Sequence, residues 1–188
     1  MKQLSGCYFS LFLAGMLYAL PCKGQVFKTQ KEALTEAFSD SARITRKVLF
    51  LTDEQIDKIQ KRAQTKIESK IVTYYVGSKA DTIKGYAFFE TNIVRTKPET
   101  FMLVVNPDAT IRYVEILAFY EPLDYFPTRN WLALFKNKML NDELRPRQAI
   151  HAITGATLTV RAMTRGVRKL LAIFEVAVLM ETEKENVK

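Results

Sequence analysis

Ile71-Val72-Thr73-Tyr74-Tyr75-Val76, then Gly77-Ser78-Lys79-Ala80-Asp81, then residues 82–90 form the stretch whose reading decides the fold. The first run is β-branched and aromatic, types that suit a pleated, half-buried surface, and the Gly, Ser and Asp between the runs suit a turn. Two strands joined so closely predict an antiparallel hairpin. A second hairpin is predicted immediately after it. Residues 101–105 and 110–119 flank Asn106-Pro107-Asp108-Ala109, where Pro in second place and Asp in third suit a type I turn. Four strands between helical segments predict an α+β fold, an antiparallel sheet with helices packed on one face.

Working outward, Glu121-Pro122-Leu123-Asp124-Tyr125-Phe126-Pro127 reads as a loop, because both prolines disfavour regular structure. Residues 130–138 read as a short helix with Trp131, Leu134 and Phe135 inward, and residues 141–147 as a polar link. The last helix is the best patterned: Val160, Met163, Val167, Leu170, Leu171, Phe174 and Val178 make an apolar stripe, with Arg161, Arg165, Arg168 and Lys169 off it. The tail after Thr182 is expected to fray. On the N-terminal side, residues 29–47 predict a helix with Leu34, Phe38, Ile44 and Val48 inward. Thr52-Asp53-Glu54-Gln55 then has capping-box spacing for a second helix carrying Ile56, Ile59 and Ala63. The expected organisation is an N-terminal helical appendage over residues 25–68, a domain over 69–180 and a tail over 181–188.

With 188 residues and 48% hydrophobic content, the chain is long enough for one globular domain plus a small appendage. The first 24 residues read as an export signal: Lys2, an apolar run from Cys7 to Leu20, then turn-forming residues through Pro21 to Gly24. Cleavage after Gly24, lipidation at Cys22 and an uncleaved anchor rank in that order, the apolar run being short for a bilayer span. Cleavage removes Lys2 and Lys23 and no acidic residue, which lowers the formal charge from +8 to +6. It also removes Cys7 and Cys22, the chain's two cysteines, so the mature domain has no disulfide, no cysteine-ligated cluster and no c-type haem.

Between the polar link and the last helix stands Ala152-Ile153-Thr154-Gly155-Ala156-Thr157-Leu158-Thr159. Small residues let a ligand approach the backbone, three hydroxyls are donors, and the helix that follows offers unpaired N–H groups and the positive end of its dipole. A phosphate suits such a place. The same string also serves as an ordinary helix start with Thr154 or Thr157 as N-cap, and the residues alone leave both readings open.

The run from Ile153 to Thr159 resembles the flavinylation signature of the FMN-binding domain family, Asp-x-x-Ser/Thr-Gly-Ala-Thr-x-Thr/Ser. That family includes the covalent-FMN subunits of sodium-pumping NADH:quinone reductase and of the Rnf electron-transport complex. In it, the Thr that closes Gly-Ala-Thr carries FMN through a phosphoester bond made by a dedicated flavin transferase. Carried over, the acceptor is Thr157, with Thr154, Gly155, Ala156, Leu158 and Thr159 about it. Gly85-Tyr86-Ala87-Phe88-Phe89, Tyr120-Glu121-Pro122-Leu123-Asp124-Tyr125 and Trp131-Leu132-Ala133-Leu134-Phe135-Lys136-Asn137-Lys138 look like the same domain in the same order. With the basic helix, the resemblance spans residues 70–174. It implies that the Glu121-Pro122 loop and the residues entering the motif, His151 among them, lie near the isoalloxazine. Tyr125 and Trp131 are candidate ring faces as well as candidate core residues. Arg145, Arg147 and Arg161 are candidates for the phosphate or the reduced flavin, or for a solvated basic face. Two positions depart from the pattern: His151 stands where the family has Asp, and Asn137 where it commonly has Gly. Asn tolerates positive φ, so the second change preserves a turn.

Protein-borne FMN performs its own redox chemistry, so turnover needs no side-chain acid, base or nucleophile. The sequence agrees: it has one histidine and no Gly-x-Ser-x-Gly, His-Glu-x-x-His or Walker loop, which leaves hydrolase, metalloenzyme and nucleoside-triphosphatase readings without a motif. The expectation is an exported flavoprotein, in the periplasm or on the outer face of the cytoplasmic membrane and at most peripherally attached. It would pass electrons between a membrane donor and an extracytoplasmic acceptor, after maturation by a flavin transferase. The alternatives are a binding or scaffold protein of the same fold without covalent flavin and, ranked last, a basic adaptor for nucleic acid or an anionic polymer. Export and aromatics that read as buried argue against nucleic acid.

Overall fold

A computed structural model of the chain describes residues 24–39, 42–80, 82–141, 144–146, 148–150, 153 and 155–186. The segment through residue 23 that reads as an export signal, with Cys7 and Cys22, lies outside the described residues, as do Arg147, His151, Ala152 and Thr154.

In chain order the elements are β1 (Gln25–Val26), α1 (Gln30–Phe38), β2 (Arg43–Phe50), α2 (Asp53–Ala63), β3 (Ile71–Lys79), β4 (Thr82–Ile93), β5 (Pro98–Val105), β6 (Ile111–Phe119), α3 (Arg129–Leu132), α4 (Thr157–Ile173) and α5 (Leu179–Asn186). The strands form one antiparallel sheet in the order β1-β6-β5-β4-β3-β2. Both predicted hairpins are present. At the second, Ala109 N donates to Asn106 O (3.1 Å) and Asn106 N to Thr110 O (2.8 Å), while Ala109 itself turns left-handed at φ +66°. That is a type I turn closed by a left-handed residue, a common way to rejoin two strands.

Period-two alternation divides the sheet's side chains between two faces. Ala87, Met102, Val104 and Leu117 point to one face, where α1 lays Ala33, Leu34 and Phe38 over them. Tyr74, Phe88, Phe101 and Leu103 point to the other, where they meet α4 and its π-helical continuation (Phe174–Val178), with α2 packed beside α4. The apolar stripe of α4 is buried as its spacing predicts, and the helix runs on to Asn186. The α+β architecture follows the expectation, but the helices cover both faces, not one.

A second difference concerns residues 29–47. The helix stops at Phe38, Ser39 takes φ +69°, and Arg43–Phe50 is an edge strand paired with β3 from Arg43↔Ser78 to Phe50↔Ile71. Ile44 and Val48 therefore belong to β2, and Val48 is exposed. Ile44, Thr45 and Val48 are β-branched, and charged residues between them suit an edge that must not recruit other strands. The N-terminal segment thus supplies both edge strands of the sheet as well as two helices. The capping box of α2 forms as predicted, with Gln55 N donating to Thr52 Oγ1 (3.2 Å) and Thr52 N to Gln55 Oε1 (2.9 Å).

Gly166 sets how closely α4 approaches the sheet. A Cβ there would stand 2.8 Å from Asn92 Nδ2 and 2.9 Å from Phe101 Cζ. Neither neighbour yields easily, since Asn92 donates to Ala162 O (3.2 Å) and Phe101 is wholly buried. Replacing Gly by Ala in a helix gains about 1 kcal/mol of propensity, but overpacking costs about 1–3 kcal/mol, so the clash wins. Gly166→Ala is expected to destabilise the fold by on the order of 1–2 kcal/mol in denaturant unfolding; a stabilised variant would contradict this packing.

Beside that contact lies Glu99, opposite Asn92 in the register and wholly buried, with neither carboxyl oxygen hydrogen-bonded among the described residues. Burial pushes its carboxyl up to about 8, the nearby Asn92 amide and Arg165 charge offsetting only part of the penalty. The folded chain holds Glu99 protonated where the unfolded chain ionises it, so stability is full below about pH 4.5 and falls as pH rises towards 8. Unfolding followed from pH 5 to pH 9 should show this loss in the parent and a flatter profile in Glu99→Gln. The same slope in both proteins would acquit Glu99.

Candidate functional site

The helix start that the threonine motif predicts is present, and among the described residues no side chain caps it. Ala156 is the N-cap residue and its side chain makes no capping bond; Thr157 is the first helical residue and is exposed. Thr157 therefore does not serve as N-cap, and the first-turn N–H groups of Thr157, Leu158 and Thr159 receive no side-chain acceptor among the described residues. Gly155 precedes them at φ +82°, with open space where a Cβ would stand, so this glycine serves the backbone turn and not a crowded contact. Thr159 faces inward at 1% exposure, and its Oγ1 has no hydrogen-bond partner among the described residues. A buried hydroxyl without a partner is costly unless something else supplies one.

These residues line a cleft of about 200 Å³, to which α4 and the residues before it contribute Gly155, Ala156, Thr157, Leu158 and Thr159, and other segments contribute Tyr125 and Arg95. The Arg95 guanidinium lies over the Tyr125 ring, 4.9 Å from its centroid. Arg95 belongs to the turn between β4 and β5. Behind that turn the buried Glu121 accepts three backbone N–H bonds at Oε1, from Arg95 (3.1 Å), Thr96 (2.8 Å) and Lys97 (2.9 Å). Burial pushes this carboxyl up, but the three N–H donors, with the Arg95 charge, outweigh it and hold it below its ordinary value. Glu121 is thus an ionised clamp on the turn.

The structure sorts the residues that the sequence put forward. Gly155, Ala156, Thr157, Leu158, Thr159 and Tyr125 come together in the cleft. Glu121 stands behind the cleft wall and acts on it through the 95–97 backbone. Trp131 is core: it is buried edge-on against Phe135 at 5.2 Å and does not line the cleft. Arg145 and Arg161 do not line it either. Thr154 and His151 lie outside the described residues. Arg95 was missed; the signal was available in Val94-Arg95-Thr96-Lys97, a basic turn between two strands. Asn137 takes the left-handed conformation expected of it, φ +61°, and its N–H donates to Ile111 O (2.8 Å) at the start of β6.

Arg168, which lies off the apolar stripe of α4, is nonetheless not at the surface. It is buried and donates to the carbonyls of Arg62 (3.0 Å), Ala63 (3.3 Å), Asn141 (2.6 Å) and Leu144 (3.2 Å). Two of these are end carbonyls of α2, which need donors and favour a cation, and two lie in the link that leads to the threonine motif. Arg168→Met is expected to cost on the order of 2–4 kcal/mol, because it strands buried carbonyls. Denaturant unfolding checks this, and a loss under about 0.5 kcal/mol would show that the carbonyls find other donors.

An uncapped helix start with an orphaned hydroxyl suits a phosphate, and a Tyr ring carrying a guanidinium suits a flat, electron-poor ring system. The cleft therefore brings together groups suited to the phosphate and to the ring of FMN. The family model for the FMN-binding domain matches residues 69–172, from just before β3 into the last turn of α4 and across the whole cleft. Among curated proteins, none matches the chain. The match takes in more than half of the sequence, and the chain is a flavin-binding protein that belongs to the FMN-binding domain family.

Proposed function

We propose that this chain carries FMN covalently on Thr157 and serves as an exported one- or two-electron carrier between a membrane donor and an extracytoplasmic acceptor. The observation that carries the reading is the exposed Thr157 at an uncapped helix start, beside the unpartnered Thr159 hydroxyl. Attachment balances as a phosphoryl substitution. Thr157 Oγ1 forms a bond to the FMN phosphorus of a flavin dinucleotide, the pyrophosphate P–O bond breaks, a nucleoside monophosphate leaves, and the threonine proton passes to the transferase or solvent. Bound FMN supplies the electron-transfer chemistry. The chain's part is to hold the phosphate on the first-turn N–H groups and the Thr159 hydroxyl, and to keep the tethered ring against Tyr125. Export rests on residues 1–24, whose removal would leave no cysteine in the mature chain.

The test is denaturing electrophoresis with in-gel flavin fluorescence, plus intact mass, on chain coexpressed with a flavin transferase. Fluorescence and a one-FMN mass gain are expected in the parent and neither in Thr157→Ala. A colourless, unmodified parent, under conditions that load a known family member, would leave the scaffold alternative standing.

A further inference from the structure

We propose that Arg95 is the cofactor-facing cation of the cleft and that Glu121, which does not touch the cofactor, positions it, so that this pair sets how strongly the site favours reduced flavin. The inference rests on the flavin reading above and deepens it.

Arg95 is the one charged side chain lining the cleft among the described residues. A long side chain on an exposed turn ordinarily samples many rotamers, and a charge that wanders through water contributes little to a bound ligand. Here the turn is fixed from two sides. Val94 N donates to Lys97 O (3.1 Å) across its mouth, and Glu121 Oε1 gathers the next three N–H groups in succession. Glu121 is itself held, because Tyr120 N donates to Pro98 O (3.1 Å) at the base of the same turn. The Tyr125 ring under the guanidinium then selects the rotamer that points into the cleft.

A surface turn does not need a buried carboxylate in order to form. A carboxylate spent on three consecutive N–H groups fixes the position of what the turn carries, and the side chain it carries into the cleft is Arg95. Uptake of two electrons and one proton leaves flavin with one more negative charge than before. A fixed cation beside it favours that form over the oxidised one, which raises the reduction potential. The other positive element of the site is the start of α4, where Thr157 also lines the cleft.

The experiment uses the full chain, coexpressed with a flavin transferase, as parent, Arg95→Gln, Arg95→Lys and Glu121→Gln. Mass and in-gel fluorescence report flavin loading. Redox titration of the loaded chains reports the potential, and amide hydrogen exchange on the ligand-free chain reports the turn. Arg95→Gln is expected to weaken the preference for reduced flavin about tenfold, which is about 30 mV for a two-electron couple, with Arg95→Lys in between. Loss of loading in Arg95→Gln but not in Arg95→Lys would equally count for the cation. Glu121→Gln should lower the potential too, and should speed exchange at amides 95–97 by tenfold or more. Potentials equal to the parent's in Arg95→Gln, or unchanged exchange in Glu121→Gln, would overturn the proposal. A parent that never takes flavin sinks the function reading on which it rests, while exchange at amides 95–97 still judges the clamp.

Discussion

The close approach of α4 to the sheet, through the gap that Gly166 leaves over Asn92 and Phe101, is the contact on which the rest of the structure depends. A helix packed at that height buries its whole apolar stripe, and it cannot slide without driving a backbone into a buried ring. Its far end is fixed by Phe174 against Tyr86 and Phe88, and its middle by Arg168, which ties it to α2 and to the link before the motif. The first turn of α4 is therefore presented at a set place beside the β4–β5 turn. The attachment point proposed there would gain from this rigidity, since a tether fixes a cofactor only as well as the residue it hangs from.

The two sides of the cleft are built by different means. On the α4 side groups are left unsatisfied among the described residues: an N-cap position filled by alanine, first-turn N–H groups without a side-chain acceptor, and a buried Thr159 hydroxyl. Most helices cap such groups with Ser, Thr, Asp or Asn, and leaving them open costs stability that a bound anion would restore. At the β4–β5 turn the protein over-satisfies, placing a buried carboxylate on three N–H groups so that one guanidinium lies still over one ring. The start of α4 and Arg95 both turn positive charge toward the cleft, and a phosphate and an anionic reduced ring, both negative, are both favoured by it.

The parts of the fold visible in the sequence were those with a local physical signature. The two hairpins carry their turn residues between β-branched runs, the α2 capping box is a four-residue pattern, and the stripe of α4 repeats at helical spacing. The threonine motif and its neighbours, read by resemblance, named five of the cleft residues. What escaped was decided by tertiary context. β2 fits a helical spacing at Ile44 and Val48 as well as it fits a strand, and only pairing with β3 chooses between them. β1 is two residues long, too short for any periodic signal. Arg168 sits among basic neighbours that do face solvent, and its burial depends on carbonyls distant in sequence. Trp131 and Tyr125 are both aromatics near a proline-rich loop, yet one completes the core and the other lines the cleft. Arg95 needed knowledge of which loop lies beside the helix start, and no spacing within the chain encodes that.

The proposed attachment is to one oxygen atom, Thr157 Oγ1, and two other threonines of the motif stand within three residues of it. Fragment-ion sequencing of the tryptic peptide spanning residues 148–161, from chain matured with a flavin transferase, would locate the adduct among Thr154, Thr157 and Thr159. One FMN on Thr157 and unmodified hydroxyls on the other two are expected, in keeping with an exposed first-turn residue beside a buried Thr159. An adduct on Thr154 or Thr159, or a peptide bearing none, would contradict that attachment.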